Sequence, residues 1–370
     1  MSASDPQAAS LPVALVRRGF SPTGGAEKFL VRFAVEAQKR GRKVVLVTDE
    51  PWPESARQGL GQKVLPGRSA WSFAKSVEQW RGNWNGLVFS LERLFSADCY
   101  RAGDGVYAAW MQRRSEYDPF IHVLLRKISF KYFHLLALEK RCFSAEHTAA
   151  VIVNSRLVAD EIGKMFGYPR ERMHLVRNGI PGDFMRGAPD KSEARRRLGL
   201  PQNGFIAAFA GTGWKRKGLR FAVAAMKSAN ISGAKLVVAG RGKPTAAGGP
   251  DTVFLGPLHD VRPLLSAADA FILPTVYDPF SNACLEALAA GLPVITTAAN
   301  GCSEVLREGI NGSVVPRADD IEGLAAALRY WSVGNRASAA SSECRAVPAE
   351  CSLEQNVTRT LEVLESVRRN

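Results

Sequence analysis

At 370 residues the chain is long enough for two domains that each bury a core of their own. Hydrophobic residues at 46% and charged residues at 23% exclude a disordered chain, and no run reaches the roughly 18 apolar residues needed to cross a bilayer. Lys and Arg outnumber Asp and Glu by 49 to 35, and this excess of +14 points to an anionic partner: nucleic acid, a phosphate-bearing substrate or an anionic membrane face.

Residues 1–11 have neither the basic start nor the apolar core of a secretory signal, which predicts a cytoplasmic protein. Apolar runs at residues 12–16, 43–48, 86–90, 149–154 and 174–177 predict short buried strands. Helical patterns lie between them, clearest over residues 26–39. There Phe29, Leu30, Phe33, Ala34 and Ala37 share one face, with Lys28, Arg32 and Lys39 as polar positions. A second strand series follows at residues 205–210, 235–239, 252–255, 270–274 and 293–297. Strands alternating with helices predict two α/β domains with parallel sheets, and such folds bind ligands at the carboxyl ends of their strands. The turn-rich stretch 178–203 marks the seam between the series. The expected division is 1–180, 181–350 and a terminal helix over 351–370 that packs back on the first domain.

Six cysteines (Cys99, Cys142, Cys284, Cys302, Cys344, Cys351) form no CxxC pair and no cluster with His at metal-ligand spacing. They read as small buried residues or idle surface thiols, and no metal site is expected.

Three segments carry candidate chemistry. Ser21-Pro22-Thr23-Gly24-Gly25-Ala26-Glu27 follows the first strand and opens the first long helix. Adjacent glycines at a helix start offer backbone N–H groups to a diphosphate, although a plain strand-to-helix turn has the same look. It matches neither GxGxxG nor the Walker pattern. Gly211-Thr212-Gly213-Trp214-Lys215-Arg216-Lys217-Gly218 follows the first strand of the second domain. Arg216 and Lys217 there could clamp a pyrophosphate, with a solvated basic turn as the alternative. The third runs from Leu273 to Val294. Asp278 lies in a loop, Glu286 on a helix, and Gly291-Leu292-Pro293 stops that helix before the next strand. Both acids can accept hydrogen bonds from sugar hydroxyls, or can simply be exposed acids near a helix start.

This third segment resembles glycosyltransferase family 4, the retaining GT-B enzymes, and within it the bacterial lipopolysaccharide core glucosyltransferases. The shared pattern is an acid, seven residues, Glu286-Ala287, and then Gly291-Leu292-Pro293-Val294; Asp278 stands where the family usually has Glu. Gly24-Gly25, Lys217-Gly218, Asn154-Ser155 and Arg177-Asn178-Gly179-Ile180 match further family elements in the right order. The resemblance implies two Rossmann-like domains with parallel sheets facing across a cleft. It also implies a nucleotide-diphospho-sugar donor, UDP-glucose foremost, with no other cofactor and no metal. Glu286 would hold the ribose and Asp278 a donor-sugar hydroxyl, with Phe280, Ser281 and Asn282 completing the donor site. Arg216 and Lys217 would hold the diphosphate, with Gly24 and Gly25 closing over it. The catalytic set so implied is Asp104, Arg216, Lys217 and Asp278.

Asp104, in Arg101-Ala102-Gly103-Asp104-Gly105-Val106-Tyr107, is the candidate N-terminal catalytic acid; a bare turn is the competing reading and His122 the alternative residue. From Trp110 to Phe143, basic residues interleave with aromatic and aliphatic ones. That pattern suits an anionic membrane surface or a phosphorylated glycolipid acceptor as well as an ordinary packed helix. Expected partners are thus a nucleotide sugar, a glycan or glycolipid and the inner face of the plasma membrane. Nucleic acid is not expected, because no helix-turn-helix, zinc or RNP signature accompanies the charge. A Rossmann oxidoreductase lacks its GxGxxG; a GT-B epimerase or phosphorylase stays open as an alternative.

Overall fold

The structure, a computed structural model, describes residues 11–21, 25–242, 248–346 and 351–367. The chain divides into two compact units. The first comprises Met1–Asn154, Val158–Val176 and Asn356–Asn370; the second comprises Ser155–Leu157 and Arg177–Gln355. The crossing at 176/177 comes just ahead of the turn-rich stretch, because Val176 still donates its N–H to the Val153 carbonyl at 2.8 Å.

The first unit holds seven parallel strands: β1 (Val13–Val16), β2 (Val44–Thr48), β3 (Gly61–Val64), β4 (Leu87–Ser90), β5 (Ala97–Arg101), β6 (Thr148–Val153) and β7 (Met173–Leu175). Their order across the sheet is β3-β2-β1-β4-β5-β6-β7. The chain runs outward from β1 to β3, then returns to lay β4 on the other side of β1, with Val13 opposite both Val44 and Leu87. The β1/β4 boundary is therefore a topological switch point, and the loops leaving those strands open onto one crevice. The central strands β1, β4 and β6 are largely apolar and buried, as strands covered on both faces of a parallel sheet require. Ala14, Val16, Val47 and Val88 pack with Phe73, Ala74 and Val77 of the helix Ala70–Arg81, while Tyr100, Val151 and Val153 pack with Phe143, Val158 and Ile162. The terminal helix Leu353–Ser366 reaches this unit through Glu365, which accepts from Arg42 Nη2 at 2.7 Å.

The second unit repeats the plan with β8 (Ile206–Ala210), β9 (Lys235–Ala239), β10 (Thr252–Gly256), β11 (Ala270–Leu273), β12 (Val294–Thr297) and β13 (Gly312–Val315). Their order is β10-β9-β8-β11-β12-β13, again all parallel, with the switch point between β8 and β11.

Two strands in the first unit differ from the sequence reading. β3 is a largely exposed edge strand of Gly, Gln, Lys and Val, so no apolar run announces it. β5 is fully buried yet contains Asp98 and Arg101. Asp98 accepts from Arg81 Nη2 and from the Val88 N–H, both at 2.6 Å, and Arg101 stacks 4.2 Å over the Phe29 ring. Paired burial of this kind hides a core strand from hydropathy. The Gly-Asp-Gly turn follows β5 directly.

Candidate active site

In the second unit the loop after β8 is shaped by two left-handed glycines. Gly213 (φ +70°) starts the single turn Trp214–Lys217, and Gly218 (φ +78°) separates it from the helix Leu219–Ala229. A side-chain carbon at Gly218 would lie 1.8 Å from the Pro274 carbonyl oxygen, so this loop touches the end of β11 backbone to backbone. The Arg216 carbonyl accepts from the Val276 N–H at 2.9 Å and from Thr275 Oγ1 at 3.0 Å. Arg216 Nη1 donates to the Tyr277 carbonyl at 2.8 Å and stands 3.7 Å from Asp278 Oδ2, to which Lys217 Nζ is ion-paired.

Asp278 is only 5% exposed. Its own N–H donates to the Ala299 carbonyl at 3.0 Å, and its carbonyl accepts from Gly301 at 2.9 Å. Two cations and one acid are thus gathered at the carboxyl ends of neighbouring strands, which favours an anionic ligand. Asn282 and Glu286 lie four residues apart on the helix Asn282–Ala290 and share a face; neither is buried, whereas Cys284, Leu285 and Leu288 are. Beside them Phe280 is buried, and Ser281 caps the helix by accepting from the Cys284 N–H. Asn178 was given no role by the sequence; its Nδ2 donates to Asn282 Oδ1 at 2.7 Å and to the Phe280 carbonyl at 3.1 Å.

In the first unit Gly24 lies outside the described residues, and Gly25 opens the helix Gly25–Lys39. Asp104 is 64% exposed on a turn that is gripped at both ends. Asn154 Nδ2 donates to the Gly103 carbonyl at 3.2 Å, and Arg93 Nη2 donates to the Gly105 carbonyl at 2.9 Å. Burial works against the Arg93 charge, but Tyr100, Glu139 and Asp104 together raise its affinity for the proton above the ordinary range.

Beside the turn, Arg17 leaves β1 and meets three acids: Glu27 at 3.1 Å, Glu92 at 2.8 Å and Asp104 at 3.9 Å. Burial pushes the Glu92 carboxyl up from its ordinary value, opposed by Arg17 and reinforced by the Asp104 charge. Sequence reasoning missed Arg17, Glu92 and Arg93, and gave Glu27 no role of its own. For the first three the available signal was position, since charged residues just after buried strands mark a ligand-facing edge.

His122 sits on the exposed helix Phe120–Lys127. That helix and the start of the next, Phe130–Cys142, expose Phe120 (81%), Ile121, Leu124, Leu125, Ile128, Phe130 (83%) and Phe133. No Asp or Glu occurs between residues 119 and 138. Among the described residues no helix is long and apolar enough to cross a membrane.

Residues 23–184 match the family described as Glycosyltransferase Family 4, and residues 204–332 match Glycosyl transferases group 1. The lipopolysaccharide glucosyltransferase WaaG of Escherichia coli is 24% identical over 332 residues, covering 84% of this chain and 86% of that protein. An uncharacterized glycosyltransferase of Methanocaldococcus jannaschii is 30% identical over 184 residues; the match spans 46% of this chain and about half, 47%, of the relative. A crystal structure of WaaG superposes with a TM-score of 0.80 at 21% identity, covering 96% of this chain and all of the other. HepE of Anabaena, solved in complex with UDP and glucose, gives 0.74 at 16% identity with the same coverage. These likenesses establish the GT-B fold. With one family match over β2 to β7 of the first unit and the other over the second unit's strands, the chain belongs to the family 4, group 1 glycosyltransferases.

Proposed function

We propose that this glycosyltransferase moves a hexose, glucose in the first instance, from a UDP-sugar to a glycolipid acceptor of the lipopolysaccharide core, with retention of anomeric configuration. The observation that carries the reading is the junction of the β8 and β11 loops, where Arg216 and Lys217 stand beside Asp278 in a closely packed setting. Arg216 and Lys217 receive the diphosphate, Asp278 a hydroxyl of the transferred sugar, and Glu286 the ribose diol. In the reaction the acceptor hydroxyl oxygen bonds to the anomeric carbon as the bond from that carbon to the diphosphate breaks. The acceptor proton passes to the departing phosphate oxygen on the same face. The cations stabilise the charge that grows on the leaving group, an effect strongest where water is excluded. Asp104 receives the acceptor.

The exposed apolar helices support docking on the cytoplasmic face of the plasma membrane. Seven large apolar side chains stand in a stretch that carries Arg126, Lys127 and Lys131 and no acid, the composition that holds a helix at an anionic lipid surface.

The test is nucleotide release from UDP-, GDP- and ADP-sugars without added metal, with and without lipopolysaccharide acceptor. Acceptor-stimulated UDP release that disappears in Glu286→Ala is expected. Silence across the panel, with no nucleotide binding, overturns the transfer reading. For the membrane, co-sedimentation with vesicles containing phosphatidylglycerol should exceed that with phosphatidylcholine alone and be lost when Phe120 and Phe130 are both replaced by Ser.

A further inference from the structure

Glu139 is a fully buried carboxylate on the last turn of the helix Phe130–Cys142, and the transfer reaction outlined above gives it no task. Its Oε1 accepts from Arg93 Nε at 3.0 Å and from the Tyr107 N–H at 2.6 Å; its Oε2 accepts from the Ala108 N–H at 2.8 Å. The last two donors are the first N–H groups of the helix Tyr107–Ser115, whose own N-cap residue, Val106, supplies no side-chain hydrogen bond. A helix start needs only a local Ser, Thr, Asp or Asn to satisfy such groups. Here the task falls to a distant acid, and burying an acid is costly unless it is fully paired. What the distant acid adds is Arg93. That guanidinium spans from Glu139 to the Gly105 carbonyl, on the left-handed residue (φ +73°) that closes the Asp104 turn.

We propose that Glu139 is a positioning residue: through Arg93 it holds the Gly103–Gly105 turn so that Asp104 is presented in one fixed place. The inference rests on the transfer reading above. Three features of the turn agree with it. The backbone is gripped on both sides, by Arg93 at Gly105 and by Asn154 at Gly103. The Gly105 N–H closes it onto the Ala102 carbonyl at 3.0 Å. Yet the Asp104 carboxylate is 64% exposed, with Arg17 at 3.9 Å. A rigid backbone under an open carboxylate is the arrangement that places a polar group for a ligand. The neighbouring residue completes it, since Glu92 holds Arg17 beside Asp104 while Arg93 holds the turn beneath it.

The experiment uses the full-length protein and two readouts. Glu139→Gln keeps an acceptor for the helix N–H groups and removes the charge that fixes Arg93; Arg93→Gln reaches the same turn with the Glu139 cap intact. Hydrogen exchange of a peptide covering residues 102–109 should speed up by about tenfold or more in both variants, against unchanged exchange in β8 and β11. Acceptor-dependent kcat should fall by about 10²-fold with donor KM unchanged, as misplacement of a reacting group does. In an Asp104→Asn background, Glu139→Gln should lower kcat by less than about threefold further, because residues acting as a unit do not add. Unchanged exchange in the turn overturns the proposal, as does a kcat loss equally large in the Asp104→Asn background. Turnover absent from the wild type refutes the transfer reading instead, and exchange in the turn still decides whether Glu139 holds it.

Discussion

Replacing Lys217 by Met keeps the aliphatic stem and removes the charge that faces Asp278. Asp278 is 5% exposed, and its other cation, Arg216, stands off at 3.7 Å. Removing one partner of a buried pair costs about 3–5 kcal/mol. With Arg216 near enough to compensate in part, the lower end applies, about 3 kcal/mol. For a unit of this size each kcal/mol lowers the melting temperature by about 2–4 °C, so the transition should fall by about 6–12 °C. Asp278→Asn should cost less, because an ammonium on a flexible stem can turn towards water. The double variant should recover part of the Lys217→Met loss, since no unpaired acid is left buried. Binding should separate the single variants. UDP affinity should fall in Lys217→Met and rise in Asp278→Asn by about tenfold, or 1.4 kcal/mol, because the acid competes with the diphosphate for the same cations. Calorimetric melting and titration of UDP read both effects. A Lys217→Met transition within about 2 °C of wild type, or a double variant no more stable than Lys217→Met, would refute the buried-pair argument.

Gly218→Ala should destabilise the second unit and abolish nucleotide binding, because the left-handed backbone costs about 1–2 kcal/mol and the methyl meets the Pro274 carbonyl as well; melting and UDP titration check it. For Glu92, a carboxyl raised by burial holds its proton more tightly folded than unfolded, so wild-type stability declines as pH rises from the ordinary carboxylate range through the raised value. Glu92→Gln lacks that decline, and its melting temperature relative to wild type should improve as pH rises above the ordinary carboxylate range. All six thiols are buried, and burial pushes Cys142 and Cys344 up to about 12. The native protein at neutral pH should therefore resist alkylation, with six alkylated cysteines by mass spectrometry only after denaturation.

Much of the second unit could be read from sequence, because its strands are uninterrupted apolar runs and its loops carry glycines and charges at their ends. Phe209, Phe271 and Ile295 announce buried strands, and Lys217-Gly218 and Asp278 fall where those strands stop. The first unit was harder. β5 conceals two charges whose partners include residues remote in sequence, Arg81 for Asp98 and Phe29 for Arg101. The acids around Arg17 come from three separate segments, and no spacing rule connects Glu27, Glu92 and Asp104. Glu139 lies 46 residues from Arg93. Such contacts are products of the strand order, and only the folded chain shows them. The burial of Phe280 and Ser281, directly beside the exposed Asn282, is likewise visible only in the folded chain.

The contact between Gly218 and Pro274 also bears on how this enzyme could be altered. Because the β8 and β11 loops meet through main-chain atoms with no room for a single methyl group, Arg216, Lys217 and Asp278 behave as one cassette. A chimaera that grafts residues 211–218 from a relative inherits the cations without the surface they rest on. Grafting 211–218 together with 274–282 transfers both halves in register, and a library built to change the donor should treat those two stretches as one block.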